Sequence, residues 1–376
     1  MGKHIVWIAA ILLSLINLSC REKAGERTAP INDDYWSEDR IKTAGEMYNI
    51  HDNGPEKYHF PRNGFLASGY CPEGGYVKDF SIIFSNGRWH LFHIDGRPGE
   101  TCWITGNEIS FGHASTTDFD HWMRHNMPLA IGDRDWENKH IWAPFVFKND
   151  SAYLMYYNAQ GSSGNSNISI AYSDNLDNWV KTGALIEQAP GRDPFVFEHN
   201  EQTILLYTYE NKIGACSSAD LKTWVKLEDV ITIPEGAPES CSVHKLGDRF
   251  LLWFNGWNIY GDTKMYSFYA FSDSILDFTN SEYKQIQFEF EEEFAEVNKD
   301  FIINPNNICP ISIEKIAGND ELFFVCYFRP QIDRFKLFFG EMDLTREPIT
   351  IREINNKQEL DLFLEKIDIS YKNSEY

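Results

Sequence analysis

The feature that most constrains this chain is a repeat. Trp122, Trp179, Trp224 and Phe278 each close a segment of one type, at spacings of 57, 45 and 54 residues. Eight residues before each stands a small residue (Ala114, Ala171, Cys216, Ala270). Six before stands a hydroxyl (Thr116, Ser173, Ser218, Ser272), and three before an apolar side chain (Phe119, Leu176, Leu221, Ile275). A period of this length fits one four-stranded blade of a β-propeller. A β-sandwich with coincidental tryptophans explains a fourfold register poorly. Between the markers lie short β-type runs such as Ile82-Ile83-Phe84, Trp89-His90-Leu91-Phe92, Tyr153–Tyr157 and Ile204–Tyr207, and Asn86-Gly87 signals a hairpin. At about 55 to 60 residues per blade, the roughly 320 residues after residue 55 give five blades, the fifth less regular and running from Asn306 through Arg329 to Gly340. Helical periodicity is best in the tail, Lys357 to Ile367. The predicted fold is all-β, a five-bladed β-propeller over residues 56–376.

Residues 1–19 read as an address. Lys3 and His4 precede an apolar run from Ile5 to Ile16, too short to span a bilayer, and Ser19 stands directly before Cys20. The pattern looks like a bacterial lipoprotein signal, with Cys20 acylated after cleavage and the chain exported and held at a membrane, in the periplasm or on the cell surface. Asn17-Leu18-Ser19 departs from the usual preference for leucine at the first of those positions. Residues 20–55 are polar and without hydrophobic period, as a tether would be. Export permits disulfides among Cys71, Cys102, Cys216, Cys241, Cys309 and Cys326, whose pairing the sequence does not choose; all six could equally be free buried thiols. A formal charge of −22 argues against nucleic acid as a partner. There is no G-x-G-x-x-G, Walker A, H-E-x-x-H or C-x-x-C pattern.

The repeat also places candidate chemistry. Counting back twelve residues from Leu91, Leu154, Leu205 and Leu251 gives Asp79, Trp142, Asp193 and Glu239. Three blades thus put a carboxylate at one position near the start of the innermost strand, and innermost strands line a propeller's axis. Converging carboxylates repel, and partial burial raises at least one pKa, which suits acid–base work. A single Asp-Pro would be read as a strand cap; three in register are read as a site.

These segments resemble glycoside hydrolase family 43: Lys78-Asp79-Phe80-Ser81-Ile82-Ile83, Trp142-Ala143-Pro144, Arg192-Asp193-Pro194-Phe195-Val196-Phe197 and Glu239-Ser240-Cys241-Ser242-Val243-His244-Lys245. The resemblance covers about residues 70 to 340 and extends to the five-bladed superfamily that family 43 shares with families 32 and 68. Gly112-His113-Ala114-Ser115, Asp118-Phe119-Asp120-His121-Trp122 and Arg192-Asp193-Pro194 are also similar to family 32, the invertases and fructanases. Lys78 stands where that family has asparagine, and the short stretch after the fifth blade favours a lone propeller of family 43 type. The resemblance implies that Asp79 is the general base, Glu239 the general acid and Asp193 the residue that orients and tunes it, in an inverting glycosidase of arabinofuranosidase or xylosidase type. Fructosidase, galactosidase and a non-catalytic carbohydrate-binding propeller are the alternatives. Phe145 replaces the aspartate usual after Trp-Ala-Pro, Phe80 the usual proline and Ser240 the usual glycine.

Loops after the second strands should rim the site, bringing His93, Asp95, Tyr156, Asn158, Tyr207, Glu210, Asn255, Trp257 and Arg329 to it. Trp142 and Trp257 are natural platforms for sugar faces, and the resemblance makes Arg329 a substrate-binding arginine. Arg192 is a substrate ligand or a structural partner of Asp193. The blade-closing tryptophans are read as packing. No cofactor is required; some relatives hold a central calcium through a histidine, but no specific motif for it stands here. The expected partner is a carbohydrate substrate.

Overall fold

Alternation, turn chemistry and the repeat markers produce five antiparallel sheets. The computed structural model describes residues 56–58, 70–72, 75–97, 104–149, 152–162, 164, 166–261, 265–289, 311–318, 321–330, 335–354 and 356–366. All lie in one unit, Gly45–Tyr376. The leader, the tether and Cys20 lie outside the described residues.

Blade 1 holds β1 (Glu56–Tyr58), β2 (Val77–Ser85), β3 (Arg88–Asp95), β4 (Ser110–Thr116) and β5 (Trp122–Arg124), in sheet order β1-β5-β4-β3-β2. Blade 2 is β6 (His140–Asn149), β7 (Ala152–Gln160), β8 (Ser166–Ser173) and β9 (Val180–Ile186). Blade 3 is β10 (Arg192–His199), β11 (Gln202–Tyr209), β12 (Lys212–Ser218) and β13 (Val225–Lys226), with β14 (Ile231–Thr232) also pairing β12. Blade 4 is β15 (Ala237–Leu246), β16 (Arg249–Trp257), β17 (Met265–Ser272) and β18 (Tyr283–Gln285). Blade 5 combines β19 (Gln287–Glu289), β20 (Ile311–Gly318), β21 (Leu322–Pro330), β22 (Phe335–Asp343) and β23 (Thr350–Glu353), with β19 parallel to β23 at the outer edge. The inner strands β2, β6, β10, β15 and β20 touch in ring order, and β20 returns to β2. A closed ring hides the inner sheet edges that would otherwise invite pairing with another chain. The expected five-bladed propeller is the fold observed.

The marker residues explain why each blade ends as it does. Thr116 Oγ1 accepts the Phe119 N–H at 2.9 Å, and Ser173 Oγ accepts the Leu176 N–H at 2.9 Å. In the first three blades an Asp or Asn two residues after the hydroxyl caps the turn: Asp118 Oδ1 accepts from the N–H groups of Asp120 and His121, Asn175 Oδ1 from those of Asp177 and Asn178, and Asp220 Oδ1 from those of Lys222 and Thr223. These side chains replace the lost ladder partners. The caps hold Phe119, Leu176 and Leu221 at positive φ (56°, 68° and 60°). Trp122, Trp179 and Trp224 are buried, as packing residues should be.

The tail forms α1 (Lys357–Lys366), capped by Asn356 Oδ1 accepting the Glu359 N–H at 2.8 Å. Its buried Leu360 and Phe363 join a core shared by blades 1, 2 and 5. Cys71, Cys216, Cys241 and Cys326 are free thiols; Cys102 and Cys309 lie outside the described residues. Among the described residues no helix is long and apolar enough to cross a membrane.

Candidate active site

Four inner strands break their ladder at one point. The register with the second strand slips between Lys78 and Phe80, Trp142 and Phe145, Arg192 and Phe195, and Glu239 and Ser242. One residue at each slip takes positive φ: Asp79 (36°), Ala143 (48°), Asp193 (55°) and Ser240 (48°). Each stands six residues before the last inner-strand residue of its hairpin, Ser85, Asn149, His199 or Leu246. β-bulges of this kind re-aim side chains next to active sites.

This register corrects the sequence count. Asp79 and Asp193 are equivalent, but their counterpart in blade 4 is Ser240. Glu239 stands one residue earlier, in line with Lys78, Trp142 and Arg192. Leucines are unsound anchors because these strands are buried on both faces, so an apolar residue does not mark one face of the pleat. Leu91 and Leu205 lie three residues past Arg88 and Gln202, whereas Leu154 and Leu251 lie two past Ala152 and Arg249.

The three carboxylates nonetheless gather. Asp79 and Asp193 line a cavity together with Phe145, Ser240 and Glu314. Asp193 Oδ2 accepts from Thr208 Oγ1 at 3.0 Å and from the Ser240 N–H at 3.1 Å. Arg192 Nη1 donates to Glu239 Oε1, while its Nε stays 4.0 Å from Asp193 Oδ2. Burial pushes the Asp79 carboxyl up to about 7; Lys78 opposes the shift, and the charges of Asp193, Glu239 and Glu108 add to it. Burial also raises Glu239, against Arg192 and with Asp193, while a hydrogen bond from Trp257 works to lower it. The arrangement can hold one carboxyl protonated beside another that ionises, the requirement for paired acid and base.

Other sequence candidates divide. Trp142 is half-buried, stacks on His140 at 4.7 Å and 12°, and donates from Nε1 to Glu108 Oε2 at 2.6 Å. Trp257 ends β16, and its hydrogen bond to Glu239 places it beside that carboxyl group. Arg192, offered as a substrate ligand or a partner of Asp193, takes Glu239 as its nearer partner. Arg329 lies in β21 opposite Lys336, and its side chain lies outside what is described. The expected rim is corrected: His93, Asp95, Tyr156, Asn158, Tyr207 and Asn255 are all buried. They lie within the second strands β3, β7, β11 and β16 and not in the loops that follow. Asn158 Nδ2, for example, donates to the backbone oxygens of Asn167 and Gly191.

Two groups were not legible beforehand. Glu108, in the loop between β3 and β4, has no strand register to reveal it. Glu314 belongs to the least regular blade, and burial pushes its carboxyl up to about 8. No histidine is among the described residues that line the cavity, so the lining does not fit an axial calcium held through one. His90, His113 and His125 do cluster, as do Asp118, Asp120 and His121, but both groups stand outside the cavity lining, and Asp118 is already committed to its turn.

Comparison with known proteins bears on the family and the fold. A 1,2-beta-oligomannan phosphorylase of Thermoanaerobacter sp. (strain X514) is 26% identical over 186 residues, covering 48% of this chain and 62% of that protein. An invertase of Debaryomyces hansenii is 25% identical over 180 residues, covering 41% of this chain and 32% of that protein. The chain thus matches less than two thirds of the length of either relative. The crystal structure of a GH43 beta-xylosidase/alpha-arabinofuranosidase from a compost microbial metagenome shares the fold, with a TM-score of 0.55, 15% identity, and 80% of this chain and 98% of that one covered. Residues 71–297, more than half of the chain, match the model of the glycosyl hydrolases family 32 N-terminal domain, and the chain belongs to that family.

Proposed function

We propose that this protein is an exported glycoside hydrolase in which Glu239 protonates the leaving oxygen, Asp79 activates water at the anomeric carbon, and Asp193 tunes Glu239. The observation that carries this reading is that Asp79 and Asp193 line one cavity while Glu239 interacts with both at its edge, with burial raising both Asp79 and Glu239. Glycoside cleavage needs a proton for the leaving group and a nucleophile for an oxocarbenium-like centre. Asp193 favours the protonated form of Glu239 by like charge, and Arg192 limits that shift. Trp142 and Trp257 supply apolar faces for the sugar, and Arg329 a further contact to its hydroxyls.

The likeness of fold supports an arabinofuranoside or xyloside as substrate; the family match supports a second reading, a fructoside. A panel of aryl arabinofuranosides, xylosides and galactosides, with sucrose and fructans, is the test. Turnover abolished in Asp79→Asn is expected; glycan binding without turnover would make the protein a carbohydrate-binding propeller. Water attack at a site opened by Asp79 inverts the anomeric centre, so NMR of the first-formed sugar should show inversion; retention would reassign Asp79 as the nucleophile. Export through residues 1–19 and acylation of Cys20 belong to the same proposal. In a bacterial host the full-length protein should partition with membranes and Cys20→Ala should release it; unchanged partitioning of the variant would refute the anchor.

A further inference from the structure

Glu108 takes no part in the reaction outlined above, yet it is wholly buried beside it. Its φ is 51°, a conformation that costs a non-glycine residue about 1–3 kcal/mol and persists only where its surroundings enforce it. They do so here. The Glu108 N–H donates to Asn107 Oδ1 at 3.0 Å, and its carbonyl accepts the Ile141 N–H at 3.3 Å. The carboxylate takes three donors. Oε1 accepts from Tyr76 Oη at 2.8 Å and from Lys78 Nζ at 2.7 Å, and Oε2 accepts from Trp142 Nε1 at 2.6 Å. Three such bonds satisfy a buried charge that would otherwise be costly.

Lys78 directly precedes Asp79 on β2, and Trp142 stands at the slip of β6. One carboxylate therefore ties the inner strands of blades 1 and 2 together next to Asp79. Without Glu108, the ammonium of Lys78 would have Asp79 as its neighbouring anion. The groups facing this corner are Tyr76, Lys78 and Asp79 from β2 and its approach, and His140 and Trp142 from β6; Asp79 is also faced by Arg192 and Asp193 from β10, Glu239 from β15 and Glu314 from β20, all unchanged in the variants below. Burial lowers His140 so that its ring is neutral, and its Nδ1 lies 2.9 Å from Asn107 O.

We propose that Glu108 is a positioning residue for the chemistry at Asp79: its carboxylate holds the Lys78 ammonium back from Asp79 and fixes the Trp142 indole as a wall of the sugar site. The role of the indole rests on the glycosidase reading; the effect on Asp79 does not. Removing the Glu108 charge has one sign, because losing its negative field and releasing Lys78 both favour ionised Asp79.

The test is a carboxyl titration of the full chain labelled with ¹³C at the aspartate side-chain carbon, with Asp79→Asn to assign the resonance. The Asp79 midpoint should lie near 7 in the parent protein. It should fall by roughly one pH unit in Glu108→Gln and rise in Lys78→Met. A folded Glu108→Gln protein with an unmoved midpoint would overturn the proposal. Should that variant fail to fold, Lys78→Met decides, and an unmoved or lowered midpoint there overturns it equally. On a working substrate, Glu108→Gln should move the acidic limb of the rate profile in the same direction and raise KM more than it lowers kcat. Absence of any turnover by the parent protein counts against the glycosidase reading alone, since the titration decides this one.

Discussion

Glu239 and Asp79 sit within one electrostatic cluster but should fail differently when altered. General acid catalysis contributes typically about 10²–10⁴-fold, so Glu239→Gln should lose roughly that much on alkyl glycosides or natural oligosaccharides. With a dinitrophenyl leaving group, which departs without a proton, most of the loss should vanish. Asp79→Asn should be crippled on both, because the attacking water is needed whatever leaves. Steady-state rates on the two substrate types separate the roles; equal losses for Glu239→Gln would place the acid elsewhere. Asp193→Asn should lower the alkaline limb of the pH–rate profile, because the Asp193 charge is one of the forces that raise Glu239. The identities of these carboxylates were legible in sequence, since Lys-Asp-Phe, Arg-Asp-Pro and Glu-Ser-Cys stand in blade-sized order. Their alignment was not. Glu239 enters from the position before the bulge, a one-residue offset that only hydrogen-bond register reveals.

Among the elements, the β2–β3 hairpin follows most directly from local chemistry. Asn86 and Gly87 take φ of 50° and 75°, the pair of positive values that a two-residue turn of type I′ needs. A Cβ at Gly87 would meet nothing within 4 Å, so Gly87→Ala should cost only its conformational penalty, about 1 kcal/mol. A lowered urea midpoint with unchanged catalytic rates is the expected result, because this turn is at the opposite end of β2 from Asp79. The blade-closing turns were legible for a similar reason: a hydroxyl, an Asp or Asn two residues on, and a buried tryptophan are short-range devices. Loops such as that holding Glu108 were not, because its partners Tyr76, Lys78 and Trp142 come from other strands and no local pattern encodes their meeting.

For the whole molecule, buried titratable groups set opposed pH dependences. Burial raises Asp79 to about 7, Asp95 to about 6 and Glu314 to about 8, and raises Glu239 as well. Such groups bind more protons folded than unfolded, so the stability they supply is present at low pH and is lost as pH rises through their folded values. Burial lowers His90 and His93 to about 4, and also lowers His113, His125, His140 and His244. Their contribution has the other sign: it is present above the ordinary histidine value and lost as pH falls toward 4. Among these groups the six histidines outnumber the four carboxylates below about pH 6.5, while Asp79 and Glu314 retain a slope of the opposite sign from there to about 8. Urea midpoints should therefore peak near pH 6.5 and decline on both sides; a midpoint still rising at pH 8 would contradict this balance. The sequence by itself determined the number and type of the blades, their closing turns and the presence of a carboxylate trio, because each is written in short-range spacing. Only the tertiary structure decided which residues are equivalent, which polar groups are buried rather than at the rim, and which charges meet at Asp79. Closing a ring brings residues distant in the chain within hydrogen-bond reach, and burial there sets protonation by surroundings that no local segment contains.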